Sequence, residues 1–340
     1  MSTASHESAG YWGHLFEQLG MRWNRFWFTP ADPAPLCGLR LLAGVLSLYY
    51  VASFSTDLTR WFAADGLLTT ETVRQLTNPE TSDSGAPASF HWSYLNYAKK
   101  PFELWIVHLL GLAVLALFTA GLWTRITSVL ALVVVLSYVH RAPMINGQFE
   151  AVLTMMLAYL AIGPSGRLWS VDAWLAARRE PPAGSRASSE EGSVLANISL
   201  SLLQCHLAAL YMLMCLTQLG GAYDGENGAT WWRGEAIWWL LAKSESRLVD
   251  LTFLHSATGR YVVAAWTHAI VYGELAFALL IWKPLARPLL LVLAALAWVS
   301  LIPVTGLVSY CLAMIVANLA FLDAETWRAW VPAALGGTRR

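Results

Sequence analysis

Long runs of apolar residues recur along the chain, and Trp and Arg residues mark many of their ends. A helix needs about 20 residues to cross the roughly 30 Å of hydrocarbon in a bilayer, and most of these runs approach that length. The last run is long enough to cross twice if it folds back at Pro303. The pattern therefore predicts about eight membrane-spanning helices. The runs cover residues 36–54, 104–122, 126–138, 151–162, 195–219, 261–282 and 285–322.

A different pattern precedes the first run, in residues 1–32. Trp12, Phe16, Leu19 and Trp23 recur at helical spacing, with charged and polar residues between them. This pattern is typical of an amphipathic helix that lies in the headgroup layer of a membrane. We predict an interfacial helix that anchors the first span, with docking of a partner protein as the alternative.

Composition supports a membrane protein. Hydrophobic residues make up 56% of the chain and charged residues only 13%, whereas a soluble domain has about 25% charged residues. The chain has 22 basic and 22 acidic residues and no basic block, which argues against nucleic acid as a partner. The lipid bilayer is the expected partner.

The distribution of charge predicts the orientation. With eight spans, the loops on the side of both termini hold more Lys and Arg, so the positive-inside rule places the termini in the cytoplasm. We expect an integral protein of a bacterial cytoplasmic membrane. Residues 33–323 are predicted to form one all-α transmembrane bundle, with an outward-facing cap from residues 55–100 and 220–260. The Pro/Gly/Ser-rich residues 178–193 read as a cytoplasmic linker, and residues 324–340 as a cytoplasmic tail.

Several polar side chains lie inside the predicted spans. An ionisable residue costs at least about 2.5 to 3.5 kcal/mol there, so it indicates a partner, a wet cavity or a reaction. Glu274 lies in the middle of the sixth run, and Gln204 and Gln218 lie in the fifth. Glu150 begins the fourth. If Asn146 caps that helix, Glu150 is one position too far for a capping box and its carboxylate is free for a site; hydrogen bonding between helices is the alternative.

Other kinds of site have weaker support. Histidines on different spans, among them His108, His206 and His268, raise axial haem ligation as an alternative, but no spacing pairs two of them at one depth. The sequence has no H-E-x-x-H zinc motif, P-loop, dinucleotide fingerprint or G-x-S-x-G. We therefore expect no metal and no soluble cofactor domain.

A family resemblance rests on several motifs in order. Residues 202–236, LLQCHLAALYMLMCLTQLGGAYDGENGATWWRGEA, resemble the HTTM family, the horizontally transferred transmembrane domain shared with vitamin K-dependent gamma-carboxylases. Further matches are GLRLLAG at 38–44, GLWTR at 121–125, RAPMINGQFE at 141–150 and GLVSYCLAMIVANLAFL at 306–322. The resemblance implies a helical bundle whose outward face, in the carboxylases, couples epoxidation of vitamin K hydroquinone to removal of a glutamate gamma-proton.

Two departures from the carboxylase pattern bear on activity. The carboxylases have a lysine base near the outer end of the matching fifth span, where this chain has Gln218, and a histidine where it has Glu150. An amide cannot accept a proton as a desolvated lysine does. The resemblance therefore implies a relative that does not carboxylate.

Three hypotheses follow. The favoured one is a non-carboxylating member of this family that binds a lipid-soluble or quinone-like molecule in an outward-facing polar cavity with an aromatic rim. The second is a membrane oxidoreductase or epoxidase that uses Glu150 as its base. The third is a transporter or membrane scaffold, although no repeat between halves supports transport. The predicted ligand-binding residues are Asn146, Glu150, Gln204, Gln218, Trp231, Trp232 and Glu274, of which Glu150 and Gln218 are the catalytic candidates.

Overall fold

The computed structural model describes residues 4–77, 92–98, 100–179, 192–220, 227–243, 245 and 247–331. Over these residues the chain is all-helical, without a β-strand, which confirms the predicted all-α class. The α-helices are α1 (Ala4–Phe28), α2 (Ala34–Ser53), α3 (Leu58–Phe62), α4 (Thr70–Thr77), α5 (Pro101–Ala120), α6 (Thr124–Arg141), α7 (Gln148–Ile162), α8 (Val171–Arg178), α9 (Val194–Gly220), α10 (Asn227–Trp232), α11 (Ala236–Ala242), α12 (Ala257–Leu280), α13 (Arg287–Thr305), α14 (Val308–Asn318) and α15 (Ala324–Trp330).

Six helical segments among the described residues are long and apolar enough to cross a bilayer. They are the stretch Ala34–Phe62, which includes α2 and α3, and the helices α5, α6, α9, α12 and α13. These helices are consistent with the predicted integral membrane protein. Two further apolar helices are shorter, α7 with 15 residues and the segment Val308–Phe321. At 1.5 Å per residue, α7 covers only about 22 Å, less than the hydrocarbon thickness.

The last apolar run folds back three residues later than its sequence suggested. Pro303 lies inside α13, and the helix ends instead at Gly306, which has φ 68°. Glycine adopts this left-handed conformation without the steric penalty of a side chain, so it is the common residue at a helix C-terminus. The reversal is therefore made by Gly306, after which α14 begins.

Helices α2 and α7 form the centre of the bundle. α2 packs against α5, α7 and α14, and α7 packs against α6, α9 and α14. α12 lies between α9 and α13, and α11 packs on both α12 and α13 through a second hydrophobic cluster that includes Ile237, Leu241 and Val263. α13 exposes most of its apolar surface, as a helix in contact with lipid does.

The N-terminal helix runs from Ala4 to Phe28 and packs along α9, where the Asn197 side-chain amide donates to the Phe26 carbonyl at 2.7 Å. Trp12, Phe16 and Trp23 are more than half exposed. Exposed aromatic side chains along one helix fit a position in the membrane interface, where lipid covers them.

The structure describes part of the predicted C-terminal tail but little of the predicted linker. Residues 324–330 form α15, whose Trp327 is buried against Gly38 of α2. Arg328 also donates to Asp32 at 2.9 Å. This part of the tail is therefore docked on the bundle, because its indole finds space above a glycine. The predicted linker falls largely on residues 180–191, which lie outside the described residues.

A buried arginine ties two loops together at the end of the bundle where α2 begins. Arg40 has no exposed surface, and its Nη1 and Nη2 donate to the carbonyls of Ser165 and Trp169. Gly121, which ends α5 with φ 76°, packs directly against the guanidinium. Arg40 therefore links the turn between α5 and α6 to the loop after α7.

Asp172 completes this junction. Its carboxylate accepts hydrogen bonds at 2.8 Å from the Trp123 and Thr124 backbone N–H groups and from the Thr124 hydroxyl. Burial raises the pKa of the Asp172 carboxyl, but these hydrogen bonds and the Arg40 charge outweigh burial and hold the pKa below its usual value. Asp172 thus caps α6 from another helix.

Candidate functional site

Two of the predicted site residues, from separate spans, meet inside the bundle. Gln218 lies two residues before the end of α9, and Glu274 lies on α12, which packs along α9. The Gln218 Nε2 donates to Glu274 Oε1 at 3.3 Å. Glu274 is only 6% exposed, so its carboxyl group faces the protein and not the lipid. An ionisable residue held in this way indicates a functional site.

Each side chain of this pair has one oxygen atom without a partner. Glu274 Oε2 and Gln218 Oε1 are buried and make no hydrogen bond within the described part of the chain. The large majority of buried polar atoms in proteins are hydrogen-bonded, because an unpaired polar group loses its interaction with water. The Gln218 oxygen accepts hydrogen bonds, and the Glu274 oxygen accepts when the carboxyl group is ionised and can donate when it is protonated. The pair is therefore suited to a ligand that carries hydroxyl groups, which both donate and accept.

An aromatic wall lies beside the pair. Tyr211 of α9 stacks on Phe277 of α12 with ring centroids 4.2 Å apart. Trp298 Nε1 donates to the Tyr211 hydroxyl at 2.7 Å, and the Asn318 side-chain amide donates to the same hydroxyl at 2.9 Å. Tyr211 is close enough to Glu274 for the two to interact electrostatically. Four helices thus contribute to one buried polar and aromatic region.

Two further residues of this region were not singled out from the sequence. Cys215 and Tyr310 are buried and interact electrostatically with Glu274. The Tyr310 ring packs edge-on against Trp298 with centroids 5.2 Å apart. A tyrosine or tryptophan inside a span carries a polar group that needs a hydrogen-bond partner. This property could have identified Tyr310 from the sequence as a residue near a polar site.

The two tryptophans that follow α9, Trp231 and Trp232, have different contacts. Trp232 is 52% exposed, and its Nε1 donates to the Leu219 carbonyl at 3.3 Å, directly beside Gln218. His268 Nε2 in turn donates to the Trp232 carbonyl at 3.1 Å. Trp231 packs instead against the cluster of Ile237 and its neighbours. Trp232 therefore lies against the end of α9, whereas Trp231 supports α11.

The expected capping of α7 by Asn146, with a free Glu150 carboxylate, was wrong. Gly147, not Asn146, is the N-cap of α7, so Glu150 is the third helical residue and its Oε2 accepts from the Gly147 N–H at 2.8 Å. Asn146 is drawn away from the cap because its side-chain amide donates to the Val139 carbonyl at 2.7 Å. Glu150 therefore caps its own helix.

Gln204 is also placed elsewhere. Its Nε2 donates to the Ala320 carbonyl at 2.8 Å and joins α9 to the segment after α14. This is the hydrogen bonding between helices that was the alternative for the polar residues in the spans. Of the predicted ligand-binding residues, Gln218 and Glu274 thus contact each other, and Trp232 contacts the backbone next to Gln218. Asn146, Glu150 and Gln204 make structural contacts.

The histidines in the spans have protein partners. His108 is buried; its Nδ1 shares a hydrogen bond with the Tyr138 hydroxyl at 2.6 Å and its Nε2 with the Ser55 hydroxyl at 2.8 Å. His206 shares one with the Tyr159 hydroxyl at 2.9 Å. Within the described part of the chain, no three residues among His, Cys, Asp and Glu form a group that could hold a metal ion.

The fold and this site define a polytopic helical membrane protein with a buried carboxyl–amide pair. Comparisons with protein families, with characterised proteins and with solved structures found no match for the chain. The resemblance of its motifs to the HTTM family therefore stays a prediction.

Proposed function

We propose that this protein is an HTTM-like integral membrane protein that binds a lipid-soluble hydroquinone at Gln218 and Glu274 and does not carboxylate glutamate. The observation that carries the proposal is the pair of buried, unpartnered oxygens on these two side chains. A hydroquinone brings hydroxyl groups to donate to them and a ring that packs on aromatic neighbours.

The same geometry favours the reduced form of such a ligand over the oxidised form. A quinone has carbonyl oxygens in place of hydroxyl groups, so it cannot donate to the Gln218 amide oxygen and leaves this acceptor unpaired. An unsatisfied buried polar group costs about 1–3 kcal/mol, which corresponds to roughly 5- to 150-fold in Kd. The expected preference for hydroquinone lies in this range.

The contacts of Gln218 and Glu150 argue for binding without carboxylation. Gln218 donates to Glu274, and an amide has no basic nitrogen to take up a substrate proton. Glu150, the base of the oxidoreductase hypothesis, is used as a helix cap. These contacts support the proposal that neither residue removes a proton from a substrate.

The topology proposed with this function has eight spans, in which α7 and the segment Val308–Phe321 add to the six longer segments. Both are apolar, and seven of the 15 residues of α7 are buried, so neighbouring helices cover about half of this short helix. Both termini then lie in the cytoplasm of a bacterial cell. α10 and α11 cap the outward face beside Gln218, because they follow the outer end of α9.

A calorimetric titration tests the binding site. The full-length protein in lipid nanodiscs is titrated anaerobically with tetramethylhydroquinone and, separately, with the corresponding quinone. We expect saturable binding of the hydroquinone that is at least tenfold tighter than that of the quinone. Gln218→Leu and Glu274→Leu should each weaken hydroquinone binding at least tenfold, because each removes one hydrogen-bonding partner of the ligand.

Glu150→Gln is the matched control, since it changes a carboxylate at the start of a neighbouring helix outside this pair. Its hydroquinone affinity should equal that of the unsubstituted protein. Failure of the unsubstituted protein to bind either compound would refute the proposal, as would unchanged hydroquinone affinity in both leucine variants.

A further inference from the structure

Another buried charged side chain, that of Arg141, lies in the first half of the bundle, away from Gln218 and Glu274. Arg141 is the last residue of α6 and is 3% exposed. Within the described residues its one hydrogen bond is a long one, from Nη2 to the Phe62 carbonyl at 3.4 Å. Nε and Nη1 are buried and have no hydrogen-bond partner in the same part of the chain. Most donors of this guanidinium are therefore unused.

No carboxylate compensates the charge of Arg141 among the ion pairs of the described residues. A buried arginine is always charged, and burying such a charge without a partner strongly disfavours the folded state. Arg40, the other deeply buried arginine, also has an unpartnered Nε within the described residues, but both of its Nη groups donate to backbone carbonyls. Arg141 therefore differs from Arg40 in its Nη1 group, which has no acceptor.

The contacts of Arg141 within the described residues supply no anionic acceptor. Its guanidinium lies 5.8 Å from the centre of the Phe62 ring, and Phe62 packs edge-on against Tyr138. The Tyr138 hydroxyl is engaged elsewhere, because it shares a hydrogen bond with His108 Nδ1 at 2.6 Å. Guanidinium N–H groups only donate, so the missing component is one that accepts and carries negative charge.

We propose that Arg141 binds an oxyanion, the carboxylate or phosphate group of a small molecule or lipid. The oxyanion neutralises the guanidinium and accepts from Nε and Nη1. This site is separate from the hydroquinone site, because it is built on α6 and on α3, which contributes Phe62. It does not depend on the proposed function.

Thermal unfolding with added anions tests the site. The full-length protein in a non-ionic detergent, in a low-salt buffer free of chloride, is titrated separately with acetate and with inorganic phosphate. We expect at least one anion to raise Tm along a saturable curve. A lower half-saturation concentration for acetate identifies a carboxylate site, and a lower one for phosphate identifies a phosphate site.

Substitutions connect the response to the arginine. Arg141→Met should raise the half-saturation concentration at least tenfold, because it removes every donor while keeping an unbranched apolar stem. Arg125→Gln is the matched control: it changes an exposed arginine on the same helix and should leave the curve unchanged. If Arg141→Met does not fold, Arg141→Lys keeps the charge without the planar donors and should shift the curve several-fold.

The proposal is overturned if Tm of the unsubstituted protein rises without saturation for both anions, or if the Arg141 variant that folds gives the same curve as the unsubstituted protein. Hydroquinone titrations of that variant show whether the two sites are independent, because the site at Gln218 and Glu274 should keep its affinity for hydroquinone.

Discussion

Replacing Gly121 by alanine should destabilise the protein strongly. Gly121 has φ 76°, and the left-handed region costs an L-residue other than glycine roughly 1–2 kcal/mol. An added Cβ would lie 2.4 Å from Arg40 Nη1 and 2.5 Å from the Ser170 Cβ. The guanidinium cannot withdraw without losing its two carbonyl acceptors, so a further overpacking cost of about 1–3 kcal/mol applies. Together, the free energy of unfolding should fall by about 2–5 kcal/mol.

Reversible unfolding in mixed micelles measures this change. Gly273→Ala is the matched control, since Gly273 lies within α12 and an added Cβ there would meet no atom within 4 Å. Alanine is favoured over glycine in a helix by roughly 0.5–1 kcal/mol, so the control should be as stable as the unsubstituted protein or slightly more stable. If Gly121→Ala stays within about 0.5 kcal/mol of the unsubstituted protein, the described junction at Arg40 is incorrect.

Three further outcomes are expected. Asp172→Asn should lower the free energy of unfolding by about 1–2 kcal/mol at pH 7, after allowance for solvent screening. Because the pKa of Asp172 is depressed in the folded protein, its stabilisation is present above its usual pKa and is lost as pH falls through the folded value. Plots of Tm against pH for the two proteins should therefore converge in acid. Tyr211→Phe removes the partner of Trp298 and Asn318 and should cost about 0.6–2 kcal/mol in the same unfolding assay, whereas equal stability would contradict the network. Glu150→Gln should cost about 0.3–1 kcal/mol through the start of α7, and a loss of hydroquinone binding would instead place Glu150 in the site.

The spans were predictable because each apolar run satisfies its own backbone hydrogen bonds as a helix, independently of its neighbours. The boundaries were less so. The reversal near Pro303 takes place at Gly306, since the left-handed conformation there, and not the proline, ends α13. The length of α7 was also not predictable from a membrane-spanning rule. Because other helices bury part of it, α7 can be shorter than a span that is surrounded by lipid.

The site was predictable only in part. Glu274 and Gln218 stood out from the sequence because polar groups are costly in a span, but their pairing depends on the packing of α9 against α12. Glu150 stood out for the same reason and was misassigned. A shift of the N-cap from Asn146 to Gly147 moved it by one position, from a free carboxylate to a capping one.

The sequence alone determined that this protein is a helical membrane protein, because both its membrane environment and its helical class depend on how many apolar residues follow one another. Tertiary structure decided which polar side chains are paired and which are left open. Gln204 and Gln218 lie on the same helix and are chemically identical, yet one meets a backbone carbonyl and the other a carboxyl group with an open oxygen. That difference arises from the partner helix that each residue faces, which no local pattern encodes.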